Sequence, residues 1–289
     1  MEKFDILIIG AGAAGIAAAK SAAAAGCESI LLVDRGPRMG GILLQCAHRG
    51  FGSALTGPEY TRELLSDFPR CVTFCPNTTV LDITAERTAL LSSETEGRRW
   101  VAFRQMILAT GCREIPMGAL PIAGTRPKGI YTAGHMQALM NLHDHIPEGP
   151  AVILGSGDLG LIMGAQLRRA DVEVAAIVEK KTACGGLKRN RNCLEEFQTP
   201  LICGTTIQEV FGAERLEGVS LENGTYIPCR TLLIAVGLLP DQILVHGLQN
   251  VDWLHLCGNC HMVHPMVEAV IQEGKQAGVT AYEMIRGSL

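Results

Sequence analysis

The feature that most constrains this chain is a glycine pattern that occurs twice. Residues 4–9 are an apolar strand signal, followed by Gly10, Gly12 and Gly15 in the order G-x-G-x-x-G. An alanine-rich helix signal, "AAGIAAAKSAAAAG", comes next, and a second strand signal, "SILLVD", ends at Asp34. Gly10 permits a tight turn, Gly12 lets backbone approach a pyrophosphate, and Gly15 lets helix and strand pack closely. The helix N terminus offers free N–H groups and a positive dipole end to phosphates. Asp34 is placed to bond a ribose, with Arg35 directly after it. The pattern returns in "AVILGSGDLGLIMGAQLRRADVEVAAIVEK", with Gly155, Gly157, Gly160 and Glu179. Asp34 lies 24 residues after Gly10, and Glu179 lies 24 residues after Gly155. Equal spacing in two complete β-α-β units argues against coincidence. An acid at 179 favours the free ribose hydroxyls of NAD over the phosphate of NADP, although Lys180 and Lys181 follow it and compete with that preference.

Two such units in 289 residues leave room for little else, and they set an α/β class with two Rossmann-like units. The net charge of -4 gives no cationic field for nucleic acid or anionic lipid. A small basic cluster, Lys188, Arg189 and Arg191, reads equally well as a solvated loop or a phosphate contact. No apolar run reaches the roughly 18 residues of a membrane-spanning helix. The chain opens on a strand, without a secretory segment, so its 11 cysteines are expected as free thiols in the reducing cytoplasm.

One string pulls the other way. Cys257-Gly258-Asn259-Cys260-His261 spells C-x-x-C-H, the form of a c-type haem attachment site, and with His264 it offers four metal ligands. Its surroundings give it another use. "LHLCGN" is a strand running into a glycine turn, and "PMVEAVIQEGKQAGVTAYEMI" is a helix signal after it. Neither haem nor a metal is expected there.

Taken together, these segments resemble the pyridine nucleotide-disulfide oxidoreductases, flavoproteins with two dinucleotide-binding units. "MILATGCREIP" resembles the strand and turn closing the first FAD portion, with Thr110 and Gly111 in the motif. "LLIAVGLLPD" resembles the return crossing, with Gly237 and Pro240. In "LHLCGN", Gly258-Asn259 stands where the family usually has Gly-Asp near the flavin ribityl and pyrophosphate. The resemblance implies FAD on the first unit and NAD(P)H on a second unit inserted into it: residues 1–115 with 235–289, and 116–234. The stretches "GALPIAGTRPKG" and "CRTLLIAVG" are expected at the crossings. No C-terminal dimerisation domain is expected after the last helix, and the segment 247–252 is short.

A narrower likeness, carried by "GGILLQCAHRGFG", "TRPKGIYTAG" and "CGNCHMVHPMVEAV", is to FAD/NAD-binding subunits encoded beside a glycerol-3-phosphate dehydrogenase-like flavoprotein and a small cysteine-rich protein. More distant likenesses are subunits of opine oxidase, hydrogen cyanide synthase and amino-acid dehydrogenase complexes. This implies hydride transfer between NADH and FAD, with electrons passed to or from a partner such as that flavoprotein or an iron–sulfur protein. Two other readings remain open: a dehydrogenase or oxidase subunit for a small hydroxy acid or amine with a vestigial NAD unit, and a non-catalytic flavin-binding scaffold.

The departures matter as much. Disulfide-reducing relatives carry two cysteines close together in one of two places. After Gly40-Gly41 the chain has only Cys46, and "TACGGLKRN" has only Cys184. A dithiol relay needs two sulfurs within bonding reach, so no redox disulfide is expected. The resemblance places Cys46 and His48 beside the flavin ring, and His264 at the start of the last helix. These three are the candidates for proton or thiol chemistry.

Overall fold

The computed structural model describes residues 1–248 and 251–287. Leu289, the expected end of the FAD portion, and part of the segment 247–252 lie outside the described residues. The chain divides into two compact units, Met1–Arg113 with Leu239–Leu289, and Glu114–Leu238. Its described α-helices are α1 (Ala13–Ala24), α2 (Gly57–Leu64), α3 (Ala133–His143), α4 (Asp158–Arg169), α5 (Lys188–Glu196) and α6 (Val267–Gly287).

In the first unit the parallel strands run in the order Val72–Cys75, Ile30–Val33, Glu2–Ile9, Gly97–Leu108 and Leu254–Leu256. Ile6, Leu7 and Ile8 are fully buried, which suits a strand covered on both faces. Each such side chain contributes roughly 1.5–3 kcal/mol. The strand Gly97–Leu108 has two roles. Its first half pairs antiparallel with Thr88–Ser93, which pairs with Thr78–Ile83. Its second half pairs parallel with Glu2–Ile9 on one edge and with Leu254–Leu256 on the other.

α1 is almost all alanine because it is covered on several sides. Ala14, Ala18, Ala19 and Ala22 are buried in one cluster with Ala277 and Ala281 of α6. A Cβ at Gly274 would run into the Ala14 carbonyl, and one at Gly278 into the Ala18 carbonyl. The two helices therefore touch backbone to backbone, which only small residues allow. α1 stops at Gly26, φ +109°, a left-handed conformation that glycine adopts without strain.

The second unit repeats the scheme. Leu201–Cys203, Val174–Glu179, Ala151–Leu154, Thr231–Ile234 and Ile130–Thr132 form a parallel sheet in that order. A smaller sheet joins Ala123–Gly124, Ile207–Phe211, Gly218–Leu221 and Tyr226–Pro228.

The units divide after Arg113 and after Leu238, where the sequence reading divides the chain after 115 and after 234. The expected crossing segments lie largely inside the second unit. Residues 118–129 include the strand Ala123–Gly124, paired with Ile207–Phe211, and residues 229–237 include a central strand of the parallel sheet. Proline and glycine here mark strand ends rather than a linker. The last helix begins at Val267, not at His264. His264 N–H donates to Asn259 Oδ1 at 3.0 Å, which holds it in the turn before the helix.

Candidate functional site

Both units place a glycine turn at the C-terminal ends of their parallel strands, between the strands where the chain changes direction across the sheet. That is where open α/β sheets bind ligands. The two turns are built alike. Gly10 has φ +103° and Gly155 has φ +107°. A Cβ at Gly10 would strike the Ala109 carbonyl, and one at Gly155 the Ala235 carbonyl. A Cβ at Gly15 would strike the Gly10 carbonyl, and one at Gly160 the Gly155 carbonyl. These four glycines are demanded by the fold.

The middle glycines are not. Gly12 has φ -77° and ψ -171°, and Gly157 has φ -66° and ψ 174°, ordinary extended values for any residue. A Cβ on Gly12 would come no nearer than 4.0 Å to Gly41 Cα, and one on Gly157 would have nothing within 4 Å. Each is the N-cap of a helix without a side-chain cap, α1 and α4. Each therefore leaves an open space facing unpaired helix N–H groups, the form of a phosphate cradle.

The acids sit beside these turns. Asp34 Oδ2 accepts Ala11 N–H at 2.6 Å, and Oδ1 accepts Gly36 N–H at 2.7 Å. Arg35, next to it, is exposed. Glu179 Oε2 accepts the N–H (2.9 Å) and hydroxyl (2.6 Å) of Ser156, and Oε1 accepts Lys181 N–H at 2.9 Å. Burial pushes the Glu179 pKa up, but the bonds from Ser156 and Lys181 outweigh it and hold the carboxyl below its ordinary value. A carboxylate carries about four acceptor sites, so both acids keep capacity for ribose hydroxyls.

Around the first turn, Gly41 (φ +54°) would place a Cβ 2.9 Å from Gly12 Cα, and Gly40 N–H donates to Ala11 O at 2.8 Å. On the other side, Thr110 Oγ1 donates to Asp241 O at 2.6 Å, and Asp241 N–H to Gly111 O at 3.0 Å. A Cβ at Gly258 (φ +67°) would meet Ala14 Cβ at 2.8 Å. Asn259 Nδ2 approaches Cys112 Sγ at 3.8 Å. Gly10, Gly12, Gly15, Asp34, Gly41, Thr110, Gly111, Gly258 and Asn259 thus gather at one end of one sheet. Gly237, φ +151°, follows the strand end that closes the second turn.

A pyridine nucleotide-disulphide oxidoreductase family model matches residues 4–253. The chain belongs to that family. FAD and a pyridine nucleotide are the cofactors of this two-unit architecture, and the paired open cradles fit them. Among similar proteins, an opine oxidase subunit of Agrobacterium tumefaciens is 31% identical over 273 residues, covering 83% of this chain and 54% of that protein. Hydrogen cyanide synthase subunit HcnB of Pseudomonas aeruginosa is 30% identical over 225 residues, 75% of this chain and 47% of that protein. The chain spans about half the length of these relatives. Thioredoxin reductase of T. acidophilum superposes with a TM-score of 0.78 at 18% identity, over 99% of this chain and 100% of that one, a likeness of fold.

The family's namesake disulfide is missing: all eleven cysteines are free. Cys257 and Cys260 are both buried, in the cores on opposite sides of the sheet. Cys260 Sγ donates to Leu108 O at 2.9 Å, and burial raises the pKa of both thiols. These cysteines pack, and among the described residues they do not gather with His261 and His264 as a metal site. No described helix is long and apolar enough to cross a membrane.

The candidates for chemistry separate. Cys46 is buried, its Sγ 3.3 Å from Ile42 O, and burial pushes its pKa to about 12. At neutral pH it is a protonated packing group. His48 lies with its ring centroid 5.2 Å from that of Phe51. His264 is different, because it touches the turn that carries Asn259 and lies 2.9 Å from Glu273 Oε1 on α6. Glu273 and Ser156 were not singled out by the sequence. Ser156, inside the second glycine motif, was at least in view, whereas nothing local marks a glutamate in the middle of a helix. Lys188, Arg189 and Arg191 lie on α5, where Arg191 Nε donates to Gly186 O at 2.5 Å.

Proposed function

We propose that the first unit holds FAD and the second NADH, and that the chain passes reducing equivalents between them and to or from a partner redox protein. The observation that carries this reading is the pair of glycines the fold does not need. Gly12 and Gly157 face open space at helix N termini in two turns built to the same plan. A ligand whose backbone approach excludes even a methyl group accounts for both.

When bound, FAD and NADH supply the two-electron chemistry, so the protein's task is binding and orientation. In this reading Gly10, Gly12, Gly15, Asp34, Arg35, Gly41, Thr110, Gly111, Gly258 and Asn259 serve FAD. Gly155, Gly157, Gly160 and Glu179 serve the nicotinamide nucleotide, with Gly237 beside that turn. The ionised Glu179 supports NADH over NADPH, because a fixed negative charge opposes a ribose phosphate. His264 is the histidine best placed to hold a proton near the site. No thiol takes part.

The relatives are named as subunits, which supports a partner protein. The expected partners are a glycerol-3-phosphate dehydrogenase-like flavoprotein and a small cysteine-rich or iron–sulfur protein, in the cytoplasm. The test is the absorption spectrum of the purified protein, recorded anaerobically before and after adding NADH. Flavin bands that bleach, and do so at lower NADH than NADPH, are expected. Flavin bands indifferent to NADH would overturn the proposal in favour of a substrate-side dehydrogenase subunit.

A further inference from the structure

We propose that Glu273 is a positioning residue of the first unit, whose carboxylate holds the 258–264 turn in the place FAD binding requires. The inference rests on the assignment of FAD to that unit.

The turn begins where the chain leaves the sheet at Cys257 and enters Gly258 in the left-handed region. Gly258 is buried and wedged against Ala14, in the first turn of the helix that forms the cradle. A buried N–H at such a place needs an acceptor. Glu273 Oε2 supplies it at 2.8 Å. The same carboxylate lies 2.9 Å from His264 Nε2 and 3.3 Å from His261 Nδ1, so three groups of the turn converge on one side chain of α6. The His264 ring is about nine-tenths buried, and its Nε2 lies against this carboxylate without the alignment of a good hydrogen bond.

Two further contacts explain why this side chain sets the turn's position. Asn259 Oδ1 accepts His264 N–H, which closes the turn on itself. That bond fixes the turn's internal shape and leaves its attachment to the rest of the unit to other contacts. Glu273 provides one. Its neighbour Gly274 packs against the Ala14 carbonyl, so the backbone at 273 is fixed on α1. The α1–α6 contact is thereby carried through one carboxylate to the turn beside the glycine cradle. Burial raises the Glu273 pKa, but the bonds from His261 and Gly258, with His264 close beside it, bring it below its ordinary value and keep the acceptor ionised.

The test compares the wild type with Glu273→Ala and Glu273→Gln, with Lys275→Ala as an exposed control on the same helix. FAD affinity is measured by titrating the FAD-free protein, and amide exchange of residues 258–264 is followed on the same FAD-free samples. Glu273→Ala is expected to weaken FAD binding about ten- to a hundred-fold and to speed exchange at Gly258. Glu273→Gln, which keeps an acceptor oxygen, should restore both to within about three-fold of the wild type. If Glu273→Ala does not fold, Glu273→Asp, which draws the oxygens back by one methylene, should weaken FAD binding and speed exchange in the same way. Wild-type affinity and exchange in Glu273→Ala or Glu273→Asp would overturn the inference. So would a Glu273→Gln protein as impaired as Glu273→Ala. A wild type that takes up no FAD would instead overturn the assignment beneath it, a result that the first titration alone identifies.

Discussion

Replacing Gly12 by alanine separates what the fold needs from what the ligand needs. The backbone at Gly12 is extended, and a methyl group there would approach nothing closer than 4.0 Å. Losing glycine's freedom in the unfolded chain favours the folded state by about 0.4–1 kcal/mol. Alanine is a poorer N-cap than glycine, which costs a similar amount. The two effects nearly cancel, and the FAD-free melting temperature should move by no more than a few degrees, for a net change within about 1 kcal/mol. FAD binding should respond differently. A methyl group in the cradle pushes a pyrophosphate away from the helix N–H groups, and each lost hydrogen bond to a charged group is worth about 1.5–3 kcal/mol. That is a loss of roughly ten- to a hundred-fold in affinity per bond. The assay is a thermal melt of the FAD-free protein alongside a flavin titration. Gly157→Ala is the matched case for the second unit, with NADH titrated in place of FAD. Wild-type FAD affinity in Gly12→Ala would refute the reasoning. So would a large loss of stability, because the glycine would then be serving the fold.

Gly15→Ala should behave in the opposite sense, since its Cβ meets the Gly10 carbonyl: a loss of about 1–3 kcal/mol in the FAD-free melt is expected, and a wild-type melt would refute the close packing. Glu179→Gln should narrow the preference for NADH over NADPH in a binding comparison, and an unchanged ratio would remove Glu179 from the specificity argument. The depressed Glu179 pKa also contributes stability above the unfolded value of about 4.3, and that contribution fades as pH falls through the lower folded value. The stability difference between wild type and Glu179→Gln in urea should therefore shrink in acid; a constant difference between pH 7 and pH 3 would refute it. Burial pushes Cys46 and Cys229 to about 12, so at pH 8 only about one in ten thousand of each is thiolate. Mapped alkylation of the native protein at that pH should spare both, and early labelling of Cys46 would reopen a chemical role for it.

The parts legible in the sequence are those set by local backbone demands. Gly10 and Gly155 need positive φ, Gly15 and Gly160 lie against the carbonyls five residues before them, and the acids follow after one helix and one strand. All of this happens within about thirty consecutive residues in each unit, so the spacing alone displays it. What the sequence hides depends on approach from elsewhere in the chain. An apolar run such as residues 231–234 reads equally well as a crossing or as a central strand. Its place is decided by its pairing with Ala151–Leu154, and the Ala235 carbonyl that follows closes the second turn against Gly155. The string C-x-x-C-H looked like a ligand set because three residues of spacing say nothing about which side of a sheet each sulfur enters. Cys257 and Cys260 go to opposite cores. Glu273 is the most thoroughly hidden, since its partners at Gly258, His261 and His264 lie 15, 12 and nine residues away, across a turn and the start of a helix. The same reasoning explains where chemistry is to be sought. The cradles, repeated and local, are the proposed places of the nucleotides. Added to these by the inference above are the turn from Gly258 to His264 and the single carboxylate on which it converges.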